Sequence, residues 1–338
     1  MPLKPQTPRS RLQCLWLCEA IRQREEHGSA LEDREANRLA QQHGGSLRQR
    51  IENRALWLAL RDGQTAALQQ WLQGARLALG LLVLLAGVTG CSLALTALGD
   101  GSRPVNVFWA LGSLLGLHLL LLSGWLLSVL MAGKHSSGLG RLWLWLSEKL
   151  ARDASAAQLG PALVQLLQRH KLNRWVLGLL IHGLWFLALL SALLVLLILL
   201  STRRYGFIWE TTLLDTQSFI SLTQWLGTLP ALLGFPTPGI SVIQASGDNV
   251  LNSEAARHGW AGWLLGVLVV FGLLPRLLLA VLCLWRWEAG RRRLSLDLQL
   301  PAYRLLAERL QPSSERMGIC DPAPASMHST TTRASAIQ

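Results

Sequence analysis

A few ionisable side chains lie inside long apolar stretches of this chain, where burying a charge is costly. Arg276 follows Pro275 in the middle of one stretch, and His118 and His182 each lie within another. Ionisable residues inside a membrane often mark a path for ions or substrates, or hold neighbouring helices together. Proline also frees a backbone carbonyl one turn back, which the arginine could bond. Two interpretations of Arg276 therefore stay open: a functional path, and a structural lock at a kinked helix.

The two histidines fit neutral, hydrogen-bonded packing residues better than a proton relay. None of the apolar stretches contains an aspartate or a glutamate. A carboxylate-based proton or sodium coupling site within the bilayer is therefore not expected, because such sites need an acidic side chain there.

Two carboxylates follow the third apolar stretch: Glu210, in the run Trp209, Glu210, Thr211, Thr212, and Asp215 shortly after it. They could form a carboxylate pair, or reach into the bilayer and meet Arg276. Asp215 is also a favourable residue at a helix start, where its side chain accepts a hydrogen bond from a backbone N–H. Helix capping is the simpler of these interpretations.

Other signatures of chemistry are missing from the sequence. There is no phosphate-binding loop, no metalloprotease histidine–glutamate pair and no nucleophile elbow. Cys14 and Cys18 are four positions apart, but no nearby cysteine or histidine completes a tetrahedral metal site. We therefore expect no enzymatic activity, no cofactor and no metal.

Four apolar stretches dominate the chain, at residues 75–98, 105–132, 175–201 and 262–285. About 20 apolar helical residues are needed to cross the hydrocarbon core of a bilayer, and each stretch is long enough. The sequence predicts an all-α integral membrane protein with four transmembrane helices, and hence contact with the lipid bilayer.

The charge distribution predicts the orientation. Lys and Arg outnumber Asp and Glu by 12 to 8 in residues 1–76, by 7 to 2 in 133–174 and by 8 to 5 from 286 onward, whereas 202–261 carries 3 against 4. Basic segments stay on the cytoplasmic side. Both termini and the 133–174 loop are therefore predicted to be cytoplasmic, and the 99–104 turn and the 202–261 loop external. Since the basic residues flank the membrane, the net charge of +12 does not indicate nucleic-acid binding.

The segments outside the spans have distinct patterns. Residues 1–74 predict a small helical region and 133–174 amphipathic helices. Within 286–310, the alternation of leucines from Leu294 to Leu300 predicts a short strand, followed by a helix, and 311–338 has a composition typical of disorder.

The external 202–261 loop is unusually apolar, so we expect it to lie on the membrane surface or over the mouth of the helix bundle. A ligand lid and a purely structural loop are both compatible with this pattern, and the structural loop is simpler.

Glycines four residues apart, which allow close helix approach, occur at Gly112 and Gly116 and again at Gly262 and Gly266. They predict helix–helix seams, within one chain or in a homo-oligomer.

Four short runs resemble a family of bacterial inner-membrane proteins, domain-of-unknown-function family 2868. The runs begin at Glu19 (EAIRQREE), Phe207 (FIWETTLL), Gly272 (GLLPR) and Leu296 (LDLQLPAY), and the resemblance covers most of residues 10–311. The family has no assigned activity. The resemblance implies a bacterial inner-membrane location and, because members are typically found beside a membrane-associated GTPase, a GTPase as cytoplasmic partner. It also places Trp209, Glu210, Thr211 and Thr212, together with Pro275–Arg276, in recurring motifs.

Two functions follow as expectations. The first is a non-enzymatic membrane anchor or regulator of a cytoplasmic partner, which the basic cytoplasmic segments favour. The alternative is an oligomeric channel or transporter, with Arg276 and the 202–261 loop near the pathway.

Overall fold

The computed structural model describes residues 10–27, 33–131, 159–211, 215–248, 250–251 and 253–311. The predictions for Thr212, for most of the 133–174 loop and for the tail beyond Gln311 lie outside these ranges. The helices are α1 Arg11–His27, α2 Arg34–Gln42, α3 Leu47–Arg61, α4 Gln64–Leu98, α5 Val107–Leu111, α6 Leu117–Met131, α7 Leu159–Arg169, α8 Asn173–Thr202, α9 Thr216–Leu232, α10 Ile240–Asp248, α11 Glu254–Val267, α12 Leu274–Arg292 and α13 Pro301–Leu310.

Among the described residues, four helices are long and apolar enough to cross a membrane, which confirms the predicted fold class. The first membrane helix is α4 and the third is α8. In the second, the π-helical segment Gly112–Gly116 joins α5 to α6; in the fourth, Leu268–Leu273 joins α11 to α12. The first begins at Gln64 and the fourth at Glu254, well before their apolar stretches, because both helices continue into packed structure outside the bilayer.

At one end of the bundle, helices from distant parts of the chain share a single core that we call the basal domain. It comprises α1–α3, α7, residues 294–300, α13 and the start of α4. Trp16 donates from Nε1 to the carbonyl of Leu159 at 2.7 Å, and Arg11 donates from Nε to the carbonyl of Leu294 at 3.1 Å. The described parts of the segments with a basic excess thus lie together.

The strand predicted for Leu294–Leu300 is wrong, because the segment forms turns instead. Leu294 and Leu296 are buried in the basal core while Asp297 is exposed. The carboxylate of Asp297 accepts from the backbone N–H of Gln299, which closes the turn. The alternating pattern therefore reflects burial against the basal helices, and no strand pairs with this segment among the described residues.

Buried charges hold α1, α2 and α3 together. Arg54 is buried and donates to Asn37 at 2.7 Å, to Asp33 at 2.9 Å and to Glu25. Burial acts to raise the pKa of Asp33, but hydrogen bonds with Arg54 and Asn37 outweigh it, so the pKa is lowered. The pKa of Asp62 is also lowered, chiefly by its hydrogen bond with Arg61.

We expect acid to loosen the basal domain through these carboxylates. Their pKa values are depressed on folding, so their stabilisation is present above the unfolded pKa of about 4 and is lost as the pH falls below it. The unfolding temperature of the protein should hold between neutral pH and about pH 5 and fall in stronger acid. Asp33→Asn should unfold earlier at neutral pH and show a flatter decline in acid. An unchanged acid slope in that variant contradicts the assignment.

In the membrane, the third helix packs most extensively against the first and the fourth. Gly90 is the closest point, since a Cβ there would overlap the backbone of Ala188 and Ala192. Ala86, Gly90 and Ala94 repeat small residues every fourth position and are buried. Small residues at this spacing let helices approach closely, so the pattern could have revealed this seam, which the glycine pairs alone did not.

Gly90→Ala should destabilise the protein by about 1–3 kcal/mol, because the added methyl group must push the first and third helices apart. Gly87→Ala is the matched control, since a Cβ at Gly87 meets nothing within 4 Å. It should be neutral, or stabilising by up to about 1 kcal/mol through helix propensity. Thermal unfolding in detergent measures both, and equal effects would exclude a special role for Gly90.

The two predicted glycine pairs differ in how closely they are packed within the described chain. A Cβ at Gly112 or Gly116 would meet nothing within 4 Å, so this pair is not closely packed against another described helix, and its place at a homo-oligomer seam stays a prediction. Gly262 and Gly266 are closely packed, but against Pro236, Phe235 and Pro230 rather than another membrane helix.

At the end opposite the basal domain, a two-residue parallel sheet joins β1 Val105–Asn106 to β2 Phe207–Ile208, with Val105 paired to Phe207. It ties the start of the second membrane helix to the end of the third.

Candidate functional site

The centre of the membrane bundle contains a buried hydrogen-bonded cluster of one arginine and two histidines. Arg276 is fully buried. Its Nε donates to Nδ1 of His118 at 2.9 Å and its Nη2 to the carbonyl of His118 at 2.8 Å, while its Nη1 contacts Nδ1 of His182 at 2.9 Å. One side chain of the fourth membrane helix thus links the second and third.

Pro275 contributes to this geometry because it leaves one backbone carbonyl of the fourth helix without its usual helical hydrogen bond. It has no N–H for the carbonyl one turn back, that of Phe271. Nε2 of His118 lies 3.2 Å from this carbonyl oxygen. The two contacts of His118 assign its ring proton to Nε2, where it is donated to Phe271, and leave Nδ1 to accept from Arg276.

Both π-helical segments end just before the cluster. Gly112–Gly116 precedes His118 by two residues, and Leu268–Leu273 precedes Arg276 by three. Single π turns within α-helices shift the side chains that follow them and occur frequently at functional sites. Here they lie beside each other and turn His118 and Arg276 toward a common point.

Tryptophans surround the cluster. The guanidinium of Arg276 lies 5.5 Å from the ring centre of Trp185, and the rings of Trp125 and His182 are 4.3 Å apart and nearly perpendicular. Cation–π contact offers the charge an apolar environment that still stabilises it. Nε2 of His182 is buried and has no hydrogen-bond partner in the described structure.

The carboxylates proposed to meet Arg276 do not. Glu210 and Asp215 are exposed, whereas Arg276 is buried and contacts the two histidines and Trp185. Asp215 caps α9 by accepting from the backbone N–H of Ser218, and hydrogen bonds with the side chain and the backbone of Ser218 lower the pKa of its carboxyl group. The capping interpretation of Asp215 fits this geometry, whereas the proposed contact between Arg276 and a loop carboxylate is wrong.

Trp209 holds the chain after the third membrane helix in place. Its Nε1 donates to the carbonyl of Ile243 at 2.7 Å, and its ring stacks on Phe219 at 4.2 Å. Trp260 donates to the hydroxyl of Ser246 nearby. Thr211 is half-buried. Tryptophan therefore has a structural role at this position.

The basal domain has a cleft of about 280 Å³ that sequence reasoning missed. Among its lining residues are Glu19, Arg169, His170, Asp297 and Tyr303. At its base, Glu19 accepts from Arg22 at 2.6 Å and from Arg169 at 3.1 Å. Two of the runs that suggested the family resemblance, those beginning at Glu19 and Leu296, both line this cleft. Their common link to the family was the only sequence feature that could have indicated that they lie together.

Within the described residues, no group of three histidine, cysteine or acidic side chains is placed to hold a metal ion. The two candidate features are therefore the membrane cluster and the basal cleft.

The four apolar helices and the membrane cluster define a multi-pass, all-α membrane protein. The sequence profile described as "Protein of unknown function (DUF2868)" matches residues 150–337, more than half of the chain, and the protein belongs to this family. The match includes the tail and leaves out the first 149 residues, so its extent differs from the resemblance read from the sequence.

A curated relative is the "Uncharacterized membrane protein NMB1645" of Neisseria meningitidis serogroup B (strain ATCC BAA-335 / MC58). It is 30% identical over 214 residues, which are 62% of this chain and 45% of the relative. The chain thus spans less than half the length of this relative. No solved structure matches.

Proposed function

We propose that the protein is a non-enzymatic membrane anchor or regulator that binds a cytoplasmic partner through its basal domain. The observation that carries this proposal is the basal core, which joins helices from both ends of the chain into one folded platform on the bundle. A protein that served only to anchor itself in the membrane would not need so much folded chain outside its membrane helices. The basic excess of its segments supports a cytoplasmic position.

The cleft is the proposed contact point, because it offers both charge and unfilled volume. Arg169 and His170 supply donors on one side, and Asp297 supplies a carboxylate on the other. The family resemblance supports a GTPase as the partner class. The exposed arginines of the platform, such as Arg34 and Arg38 on α2, favour a partner with an acidic surface.

The test is affinity purification of the full-length protein from its native membrane after crosslinking, with identification of co-purified proteins by mass spectrometry. We expect one soluble partner in stoichiometric amount, lost in the double variant R169A/H170A. Arg204→Ala is the control, since Arg204 is exposed at the end opposite the basal domain and does not line the cleft. No soluble partner at moderate salt refutes the proposal, and equal loss in the control moves the contact out of the cleft.

A second candidate is an oligomeric channel or transporter, and the membrane cluster favours it. Buried ionisable groups in membrane helices often lie on a substrate or ion path. Purified protein in liposomes should then conduct an ion, and Arg276→Ala should change the flux. Liposomes without flux, or flux unaffected by the variant, count against this function. A homo-oligomer without a soluble partner would favour it over the anchor.

A further inference from the structure

The chain between the third and fourth membrane helices contains 32 consecutive residues without a charge, from Thr216 to Gly247. This segment begins with α9, turns at Leu233–Gly234 and returns through residues 235–239 to α10. A loop that lies in water normally carries charges, so this composition is unusual for a connection outside the membrane.

Contacts with the fourth membrane helix show the direction of α9. Phe219 lies 6.3 Å from Trp260 between ring centres, and the carbonyl of Thr223 accepts from Trp263 at 3.0 Å. Farther along, Pro230 packs against Gly266. From Phe219 to Pro230, the contacted position on the fourth helix moves from Trp260 to Gly266. Therefore α9 runs in the same direction as the fourth helix, from the end opposite the basal domain toward the membrane centre.

The segment after α9 returns along the same helix. Phe235 packs on Gly266, Pro236 on Gly262 and Pro238 on Gly259, one turn of the fourth helix at a time. Because glycine has no side chain, these three glycines leave a groove on the fourth helix, and this segment packs in it. Thus α9 and residues 233–239 together form a hairpin that enters and leaves on one side.

The depth of the hairpin follows from the charges that bracket the apolar part of the fourth membrane helix. Arg257 and Arg286 are about 43 Å apart at 1.5 Å per residue, close to the full thickness of a bilayer with its headgroups. The midpoint falls near Phe271, and Gly266 lies about 7 Å inside the hydrocarbon boundary. The ring of Trp225 on α9 stacks at 6.4 Å from Phe271, so the hairpin reaches hydrocarbon depth.

Several polar groups of the hairpin are satisfied internally, as a lipid environment requires, whereas the hydroxyls of Thr223 and Thr237 are buried without a hydrogen-bond partner among the described residues. The hydroxyls of Ser221 and Thr228 donate to the carbonyls four residues earlier. At the tip, the backbone N–H groups of Leu233 and Phe235 both donate to the carbonyl of Pro230. Pro236 and Pro238 have no N–H to satisfy, which removes two donors from the non-helical return segment.

One face of the hairpin is apolar and highly exposed. Trp225, Leu229, Leu232 and Leu233 are 67%, 50%, 79% and 58% exposed. Trp225, Leu229 and Leu232 are separated by four and three residues, which places them on one face of α9, and Leu233 follows directly at its end. This face continues the exposed leucine surface of the membrane helices, which in a bilayer is covered by lipid.

We propose that α9 and residues 233–239 form a re-entrant hairpin inserted into the leaflet opposite the basal domain, with acyl chains covering Trp225, Leu229, Leu232 and Leu233. This inference is independent of any soluble partner. It replaces the two expected positions of the loop, flat on the membrane surface or over the bundle mouth.

Spin-label accessibility in liposomes tests the hairpin. A nitroxide is attached at Leu232→Cys, with Leu278→Cys as the lipid-facing control on the fourth helix and Glu254→Cys as the water-facing control. Gln217→Cys marks the start of α9. All four positions are exposed, so the substitutions should not disturb packing. The unsubstituted protein, labelled in parallel, gives the signal of its native cysteines.

We expect oxygen to relax the label at Leu232 more strongly than a water-soluble nickel chelate, as at Leu278, with the opposite order at Gln217 and Glu254. Access of nickel to Leu232 equal to that at Glu254 overturns the proposal, because the segment then lies in water. Low access of both reagents also overturns it, because a second copy of the chain then covers the face instead of lipid.

Discussion

Arg276→Met should lower the stability of the folded protein by about 2–5 kcal/mol. Methionine keeps most of the side-chain volume but removes three hydrogen bonds, to Nδ1 and the carbonyl of His118 and to Nδ1 of His182. Interhelical hydrogen bonds in membranes contribute about 0.6 kcal/mol on average and up to about 1.7 kcal/mol each. Denaturation by increasing fractions of a strong detergent, followed by circular dichroism, measures the loss.

Two further variants separate the hydrogen bonds from simple packing changes. Leu278→Met, an exposed position two residues along the same helix, should leave the stability unchanged. In a double-mutant cycle, H118F/R276M should lose less than the sum of its single variants, because both remove the same contacts. Strict additivity would show that Arg276 and His118 are not coupled.

Glu19→Gln should destabilise the basal domain by about 3 kcal/mol or more, because it leaves a buried cation without its carboxylate. Glu19 is 2% exposed and Arg22 is 4% exposed, and they form two hydrogen bonds at 2.6 and 3.0 Å. The remaining contact of Arg22 with Glu26 limits the effect. Thermal unfolding monitored by tryptophan fluorescence measures it, since Trp16 is part of this core.

The matched control for this prediction is Glu288→Gln. Glu288 pairs with Arg291 three positions later, the spacing of Glu19 and Arg22, but its side chain is half-exposed and that of its partner is exposed. Surface ion pairs contribute little to stability, so this variant should unfold like the parent protein. Similar losses in both variants would mean that burial of Glu19 is not what makes its pair important.

The long elements of this fold are readable from sequence because the bilayer imposes a minimum length on them. The four apolar stretches each contain a membrane helix, although Gln64–Leu98 and Glu254–Arg292 extend beyond the apolar part. Their polar extensions are helical because they pack in folded structure, as Gln64 and Leu68 do in the basal domain. A hydropathy pattern reports only how apolar a stretch is, so it does not predict polar helical residues that are ordered by packing.

The partners of individual side chains were harder to anticipate. Arg276 and Pro275 stood out by type, but pairing depended on how the second and third helices are rotated, which the π-helical segments help to set. The leucine alternation at Leu294–Leu300 predicted a strand because burial on one side produces the same period in irregular chain. Glu19 and Asp297 line the same basal cleft although they are far apart in the sequence. Their proximity could be anticipated only because both lie in runs that resemble the same family.

The closure of the basal domain has a consequence for how the protein is made. The hydrogen bond from Arg11 to Leu294 spans 283 residues, and the contact from Asn106 to Glu210 spans 104. Chains grow from the amino terminus, and domains usually fold in that order. Here α1–α3 emerge first yet cannot complete their core until the fourth membrane helix has been inserted and residues 294–310 have left the ribosome. Throughout synthesis the first helices therefore carry an open apolar surface, and a ribosome that stops early leaves that surface uncovered for chaperones and proteases to recognise.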